Sequence, residues 1–143
     1  MKIYSVFNKT FPACVDNMFD VVGEVISKLQ ISLISSEDID LFNIKVILNE
    51  LLVNSIKHGC KCDTNKAVSI NCLLREDGRL VLRISDEGSG YDYCNIIKQE
   101  ACDVFSLDNN LKECGRGILI VKSLCEDLSF NSKGNVIEAV VKI

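Results

Sequence analysis

The chain lacks any long apolar run: no stretch approaches the roughly 18 consecutive apolar residues that a membrane-crossing helix requires. Its opening, Met-Lys-Ile-Tyr-Ser-Val-Phe-Asn-Lys, has neither the apolar core nor the cleavage-site pattern of a signal peptide. It also lacks a concentrated basic surface. Formal net charge is -4, and Lys and Arg are scattered along the chain. Direct nucleic-acid binding is therefore excluded as a main role, because phosphate contacts need clustered cations. A local basic patch around a bound nucleotide is still allowed. Cysteine is plentiful, at 8 residues, but paired metal spacing is absent. Cys60-Lys61-Cys62 is the one close pair, with no second pair and too short a gap for a zinc knuckle. The expectation is a cytoplasmic protein with reduced, mostly structural thiols and no membrane contact.

What is present is globular. Of 143 residues, 48% are hydrophobic and 25% charged, enough for one ordinary core. A single domain over 1–143 is expected. Residues 2–8 alternate loosely and predict a strand. Pro12, the sole proline, stands where a helix can begin. Val15, Met18, Phe19, Val22, Ile26 and Leu29 recur at helical spacing and predict an amphipathic helix from Val15 to Ile31. Ser35-Ser36-Glu37-Asp38 reads as the start of a second helix running to about Lys57 or His58, with Gly59 as its stop. Val68–Leu74 and Leu80–Ile84 predict a hairpin closed at Asp77-Gly78. From about 91 to 114 the periodicity weakens, and so long an unpatterned stretch points to a functional lid. A helix over Ile118–Leu124 and strands Leu128–Ser132 and Val136–Ile143, turning at Lys133-Gly134-Asn135, complete the chain. The fold class implied is α+β. It is a two-layer sandwich in which a mixed, mostly antiparallel sheet carries helices on one face.

The second helix carries the first chemical signal. At about 100° per residue, Leu41, Ile44, Leu48, Leu51, Leu52 and Ser55 share one broad face. Asn43, Glu50, Asn54 and Lys57 form a polar stripe opposite, with Glu50 and Asn54 stacked one turn apart. Val46, Ile47 and Val53 edge that stripe. Taken alone it is either a pocket lining or a solvated stripe with an i,i+4 pair. Two glycine-rich stretches stand further on: Asp86-x-Gly88-x-Gly90 at a strand end, and Gly115-x-Gly117 at a helix start. Each alone is most simply a turn. A helix start also offers free N–H groups and a positive dipole end to a phosphate.

In this order and spacing the three elements resemble the ATP-binding domain of the GHKL superfamily, the Bergerat fold. Within it the chain most resembles the small bacterial anti-sigma-factor serine kinases, over essentially its whole length, including Glu-x-x-x-Asn-x-x-x-His-Gly at the end of the second helix. The resemblance implies a role for each matched residue. Glu50 orients or deprotonates the nucleophile, and Asn54 holds Mg²⁺ against the triphosphate. Asp86 accepts a hydrogen bond from the adenine amino group. Gly88 and Gly90 let the backbone approach the base and turn into the lid. Gly115 and Gly117 form the phosphate-side box, with Arg116 placed to reach phosphate. Lys57 is either a phosphate contact or a surface lysine. Asn135 stands where the family often has Thr. Implied cofactors are ATP and Mg²⁺. Implied partners are a sigma factor, a STAS-type anti-sigma-factor antagonist and a second copy of the chain.

General chemistry accepts these residue types. Mg²⁺ takes oxygen ligands and keeps waters, so one amide oxygen plus phosphates suffices. An acceptor-only Asp suits adenine, whose amino group donates, and not guanine. The function implied is an ATP-dependent serine/threonine protein kinase that also sequesters a sigma factor. The alternative is a nucleotide-dependent binding module without transfer activity. A complete histidine kinase is disfavoured, because the one histidine, His58, lies inside the nucleotide-site helix.

Overall fold

The computed structural model describes residues 2–32, 40–90, 92, 93, 95, 98 and 117–142. The expected helix start at Ser35–Asp38, most of the expected lid, Gly115 and Arg116 lie outside the described residues. Five strands form one sheet: β1 (Ile3–Pro12), β2 (Ala67–Arg75), β3 (Arg79–Asp86), β4 (Asp127–Phe130) and β5 (Val136–Lys142). Their order is β1-β2-β3-β5-β4, and every described pairing is antiparallel. The helices α1 (Val15–Ser32), α2 (Leu41–Val53) and α3 (Gly117–Leu124) join them. No described helix is long and apolar enough to cross a membrane.

Strand parity explains the two layers. Ile70, Ile84 and Ile137 lie side by side in register, as do Cys72, Leu82 and Ala139. All six are buried, together with α1 residues Met18, Val22, Val25 and Leu29 and α2 residues Ile44, Ile47, Leu48, Leu51 and Leu52. The alternate residues face away and mix polar rows with one apolar row, Leu73, Val81 and Val140. Asn71 lies opposite Arg83, and Arg83 opposite Glu138, with Arg83 Nε 3.0 Å from a Glu138 oxygen. An antiparallel sheet with one face packed on the core and the other more polar gives this alternation. The hairpin at Asp77-Gly78 forms as expected, with Gly78 at φ 80°.

Three local expectations are corrected. Pro12 is the last residue of β1 and does not open a helix; β1 is an edge strand, where a missing N–H does least harm. Phe19 is 63% exposed, while Val21 and Val25 take the buried places on α1. Ile47, expected at the edge of the polar stripe, is fully buried.

The largest departure is at the end of α2. Regular α-helix stops at Val53, and Asn54–Gly59 form a π-helical turn in which Cys60 N–H reaches back to Ser55 O at 2.8 Å. Lys61 and Cys62 then take left-handed conformations, φ 54° and 58°. Gly59 is not a left-handed helix stop. The extra residue in a π-turn rotates the succeeding side chains relative to the α-helix, a distortion common at functional sites.

Leu48→Ala should destabilise the fold by about 2–5 kcal/mol. Phe19→Ala should change it by no more than about 0.5 kcal/mol. Urea denaturation of both variants measures the difference; similar costs would contradict the assignment of the buried faces.

Candidate functional site

Asp86 ends β3, the central strand, and is 8% exposed. Its position is set by the closing turn. Asn131 folds that turn by accepting, through Oδ1, the N–H groups of Gly134, Asn135 and Val136 at 2.9, 3.0 and 3.1 Å. Gly134 supplies the left-handed residue, φ 78°. Asn135 O then accepts the Asp86 N–H at 2.9 Å, and Asn135 Nδ2 donates to Asp86 O at 3.4 Å. Asn135 therefore serves the Asp86 end of the site.

The Asp86 carboxylate accepts the Gly88 N–H at 2.8 Å, an Asx-type turn within Asp-x-Gly. It also accepts the hydroxyl of buried Ser55, and the Lys133 and Lys66 ammonium groups act on it. Burial outweighs all of these and pushes its pKa above the ordinary aspartate value. Two glycines make the space. A β-carbon at Gly59 would lie 2.7 Å from Asp86 Oδ2 and 2.8 Å from Oδ1. One at Gly88 would collide with the Gly59 carbonyl and lie 2.8 Å from Asp86 Oδ1. Gly90 is left-handed, φ 100°, and a β-carbon there would collide with the Lys133 carbonyl.

At the start of the π-turn, Asn54 is buried, 8% exposed, four residues beyond Glu50. A β-carbon at Gly117 would collide with a Glu50 carboxylate oxygen. Glu50 thus lies against the first residue of α3, at the helix end that carries positive dipole charge. The first and third sequence signals meet here, although they are far apart in the chain. The second signal, Asp86-x-Gly88-x-Gly90, meets the far end of the same helical segment at Gly59. Lys57 is exposed and joins none of the ion pairs among the described residues. Beyond Gly90 a groove of about 470 Å³ runs between Asp92, Tyr93, Phe130 and Lys133. The Tyr93 and Phe130 rings close one wall, their centroids 5.4 Å apart.

Among known proteins, the family model of the histidine kinase-like ATPase domain matches residues 11–141. The chain belongs to the histidine kinase-like ATPase family. It is similar to the anti-sigma F factor of Priestia megaterium, 30% identical over 93 residues that cover 65% of this chain and 61% of that protein. It is similar to the serine-protein kinase RsbW of Bacillus subtilis, 26% identical over 106 residues that cover 72% of this chain and 64% of that one. The chain spans less than two thirds of the length of these relatives. In fold it is similar to the histidine kinase domain from Erythrobacter litoralis EL346 blue-light activated histidine kinase. That likeness has a TM-score of 0.51, covering 87% of this chain and 60% of that one at 13% identity. A likeness at that identity concerns the fold alone.

In this ATPase-family domain, sequence reasoning did not single out Ser55, Gly59, Lys66, Asn131 or Lys133 as site residues. Ser55 sat on the predicted core face, and Gly59 passed for a helix stop. Their roles appear only when Asp86 is set against the helix end. Asn49 carries a buried side-chain oxygen with no hydrogen-bond partner among the described residues. Cys60 and Cys72 are buried thiols, and burial pushes Cys72 up to about 12. Both are therefore neutral and structural.

Two outcomes are expected here. Gly117→Ala should cost about 1–3 kcal/mol by overpacking against Glu50, and most of that cost should vanish in the Glu50→Ala background. A double-mutant cycle by urea denaturation measures it; an equal cost in both backgrounds would exclude the contact. The second outcome concerns pH. Folded Asp86 keeps its proton to a higher pH than it does in the unfolded chain. Between the two values the native state binds more protons, so its stability falls as pH rises. Asp86→Asn should therefore stabilise the nucleotide-free protein at neutral pH and give no gain below the ordinary aspartate pKa. A gain that persists in acid, or no gain at neutral pH, would contradict the burial of a charged group.

Proposed function

We propose that this chain is a Mg-ATP-dependent serine/threonine protein kinase that also acts as an anti-sigma factor. Its substrate is a hydroxyl of a STAS-type antagonist. Phosphorylation of that antagonist keeps it from releasing the sigma factor that the kinase binds, and the working unit is a homodimer. The names of the relatives support the choice of partners. The observation that carries the nucleotide site is the single helical segment Leu41–Gly59, which meets Gly117 through Glu50 and Asp86 through Gly59.

Each residue has a role on this reading. Asp86, an acceptor-only group, takes the adenine amino group, and Gly88 and Gly90 allow the backbone close to the base. Guanine would bring a carbonyl to the same carboxylate. Leaving the buried acceptor unpaired costs about 1–3 kcal/mol, a large part of the preference. The N-terminal end of α3, with Gly115, Arg116 and Gly117, takes the phosphates. Asn54 offers a neutral amide oxygen in a buried setting, a donor that suits Mg²⁺ alongside phosphate and water. When bound, the ion neutralises phosphate charge. Glu50 accepts the proton of the attacking hydroxyl and orients that oxygen toward the γ-phosphorus. The oxygen–phosphorus bond forms as the bond to the bridging oxygen breaks, and ADP leaves with that electron pair. Lys57, exposed on the π-turn two residues before Gly59, is an added cationic contact to the nucleotide on this reading.

The test is incubation of purified protein with γ-labelled ATP and a STAS-domain antagonist. Label should pass to a Ser or Thr of the antagonist and be lost in Glu50→Gln, with nucleotide binding retained. Nucleotide binding without transfer by the wild-type protein would overturn the kinase reading and favour a nucleotide-dependent binding module.

A further inference from the structure

We infer that Gly59 is a specificity-determining position: its bare Cα lets the Asp86 carboxylate lie flat against the end of the α2 segment, in the orientation that selects an adenine base. This rests on the proposed adenine role of Asp86 and adds a residue to it.

Glycine at 59 is not there for backbone freedom. Among the described residues the left-handed glycines are Gly78, Gly90 and Gly134, and Gly59 is not one of them. It lies in a helical turn, where alanine is favoured over glycine by close to 1 kcal/mol. Something other than local conformation must offset that preference. The space itself does so. A β-carbon would come within 2.7 to 2.8 Å of all three atoms of the Asp86 carboxyl group, closer than such atoms approach in folded proteins.

Neither partner can retreat easily. The carboxylate is held on another side by the Gly88 N–H at 2.8 Å. Gly88 is itself pressed so closely on the Gly59 carbonyl that it too has no room for a β-carbon. The Asp86 backbone is fixed by its two bonds to Asn135. The carboxyl group itself is the softest element. A methyl at position 59 turns it out of plane, away from the Gly88 N–H and the Ser55 hydroxyl, and misdirects the lone pairs that face the base. The phosphate end is spared, because Glu50 and Gly117 meet at the other end of the segment, beyond the π-turn.

The experiment measures binding of ATP, GTP and inorganic tripolyphosphate to wild type and to Gly59→Ala, each with Mg²⁺, by calorimetry. Wild type should prefer ATP. In Gly59→Ala the affinity for ATP should fall on the order of tenfold, the loss of one charge-assisted hydrogen bond. Affinities for GTP and tripolyphosphate should stay nearly constant, so that the ATP preference shrinks by the same factor. An equal loss for all three ligands would make Gly59 a purely structural residue and overturn the inference. A wild type with no preference for ATP would instead overturn the adenine role of Asp86, and the inference with it.

A second measurement needs no nucleotide. Asp86→Ser removes the carboxylate and keeps an oxygen for the Gly88 N–H. The melting-temperature loss caused by Gly59→Ala should be much smaller in the Asp86→Ser background, even if the single variant folds poorly. The same loss in both backgrounds would show that the carboxylate is not what Gly59 accommodates.

Discussion

Asp86 is a carboxylic acid buried at the end of the central strand, and the surrounding structure serves to hold it there. Burial raises its pKa, so its charged form costs the empty fold stability. That cost is reduced by specific neighbours: the Gly88 N–H, the Ser55 hydroxyl, and the fields of Lys133 and Lys66. Each comes from a different part of the chain. Ser55 comes from the π-turn after α2, Lys66 from the residue before β2, Gly88 from the turn after β3, and Lys133 from the closing hairpin. A charge tolerated at a cost to the fold is a frequent mark of a functional site.

The helical segment Leu41–Gly59 connects this acid to the rest of the site. Its regular part presents Glu50 to Gly117, and its π-turn presents Gly59 to Asp86. Both meetings are of one kind: a carboxylate resting on a residue without a β-carbon. The fold depends on the same segment, since Ile44, Ile47, Leu48, Leu51 and Leu52 anchor it in the core above the sheet. Function and packing therefore share one helical segment. That helix sits close enough to β3 and α3 for a single methyl group to disturb either contact.

Much of this was legible in the chain. The amphipathic period of α1, the Asp77-Gly78 hairpin and the Gly134 turn are local signals, and local chemistry decides them. The two-layer arrangement came from alternating strands and one-sided helices. Glu50, Asn54, Asp86 and Gly117 stood out because spacing brings unlike groups into a known order. The features that stayed hidden depend on contacts distant in sequence. Phe19 and Val25 both fit a helical stripe, and only the angle at which α1 meets the sheet chooses between them. Pro12 ends a strand because β1 is at an edge, which sheet order alone reveals. A π-turn adds one residue without a compositional mark, so Gly59 looks like any helix-ending glycine. Its meaning comes from Asp86, many residues away.

The most direct measurement is an amide NMR titration of the protein with Mg²⁺ and a non-hydrolysable ATP analogue. The account predicts that the signals of Gly59, Gly88 and Gly117 shift together, with one saturation curve, because one ligand spans all three. Binding that leaves Gly59 and Gly88 unmoved while other residues respond would contradict it.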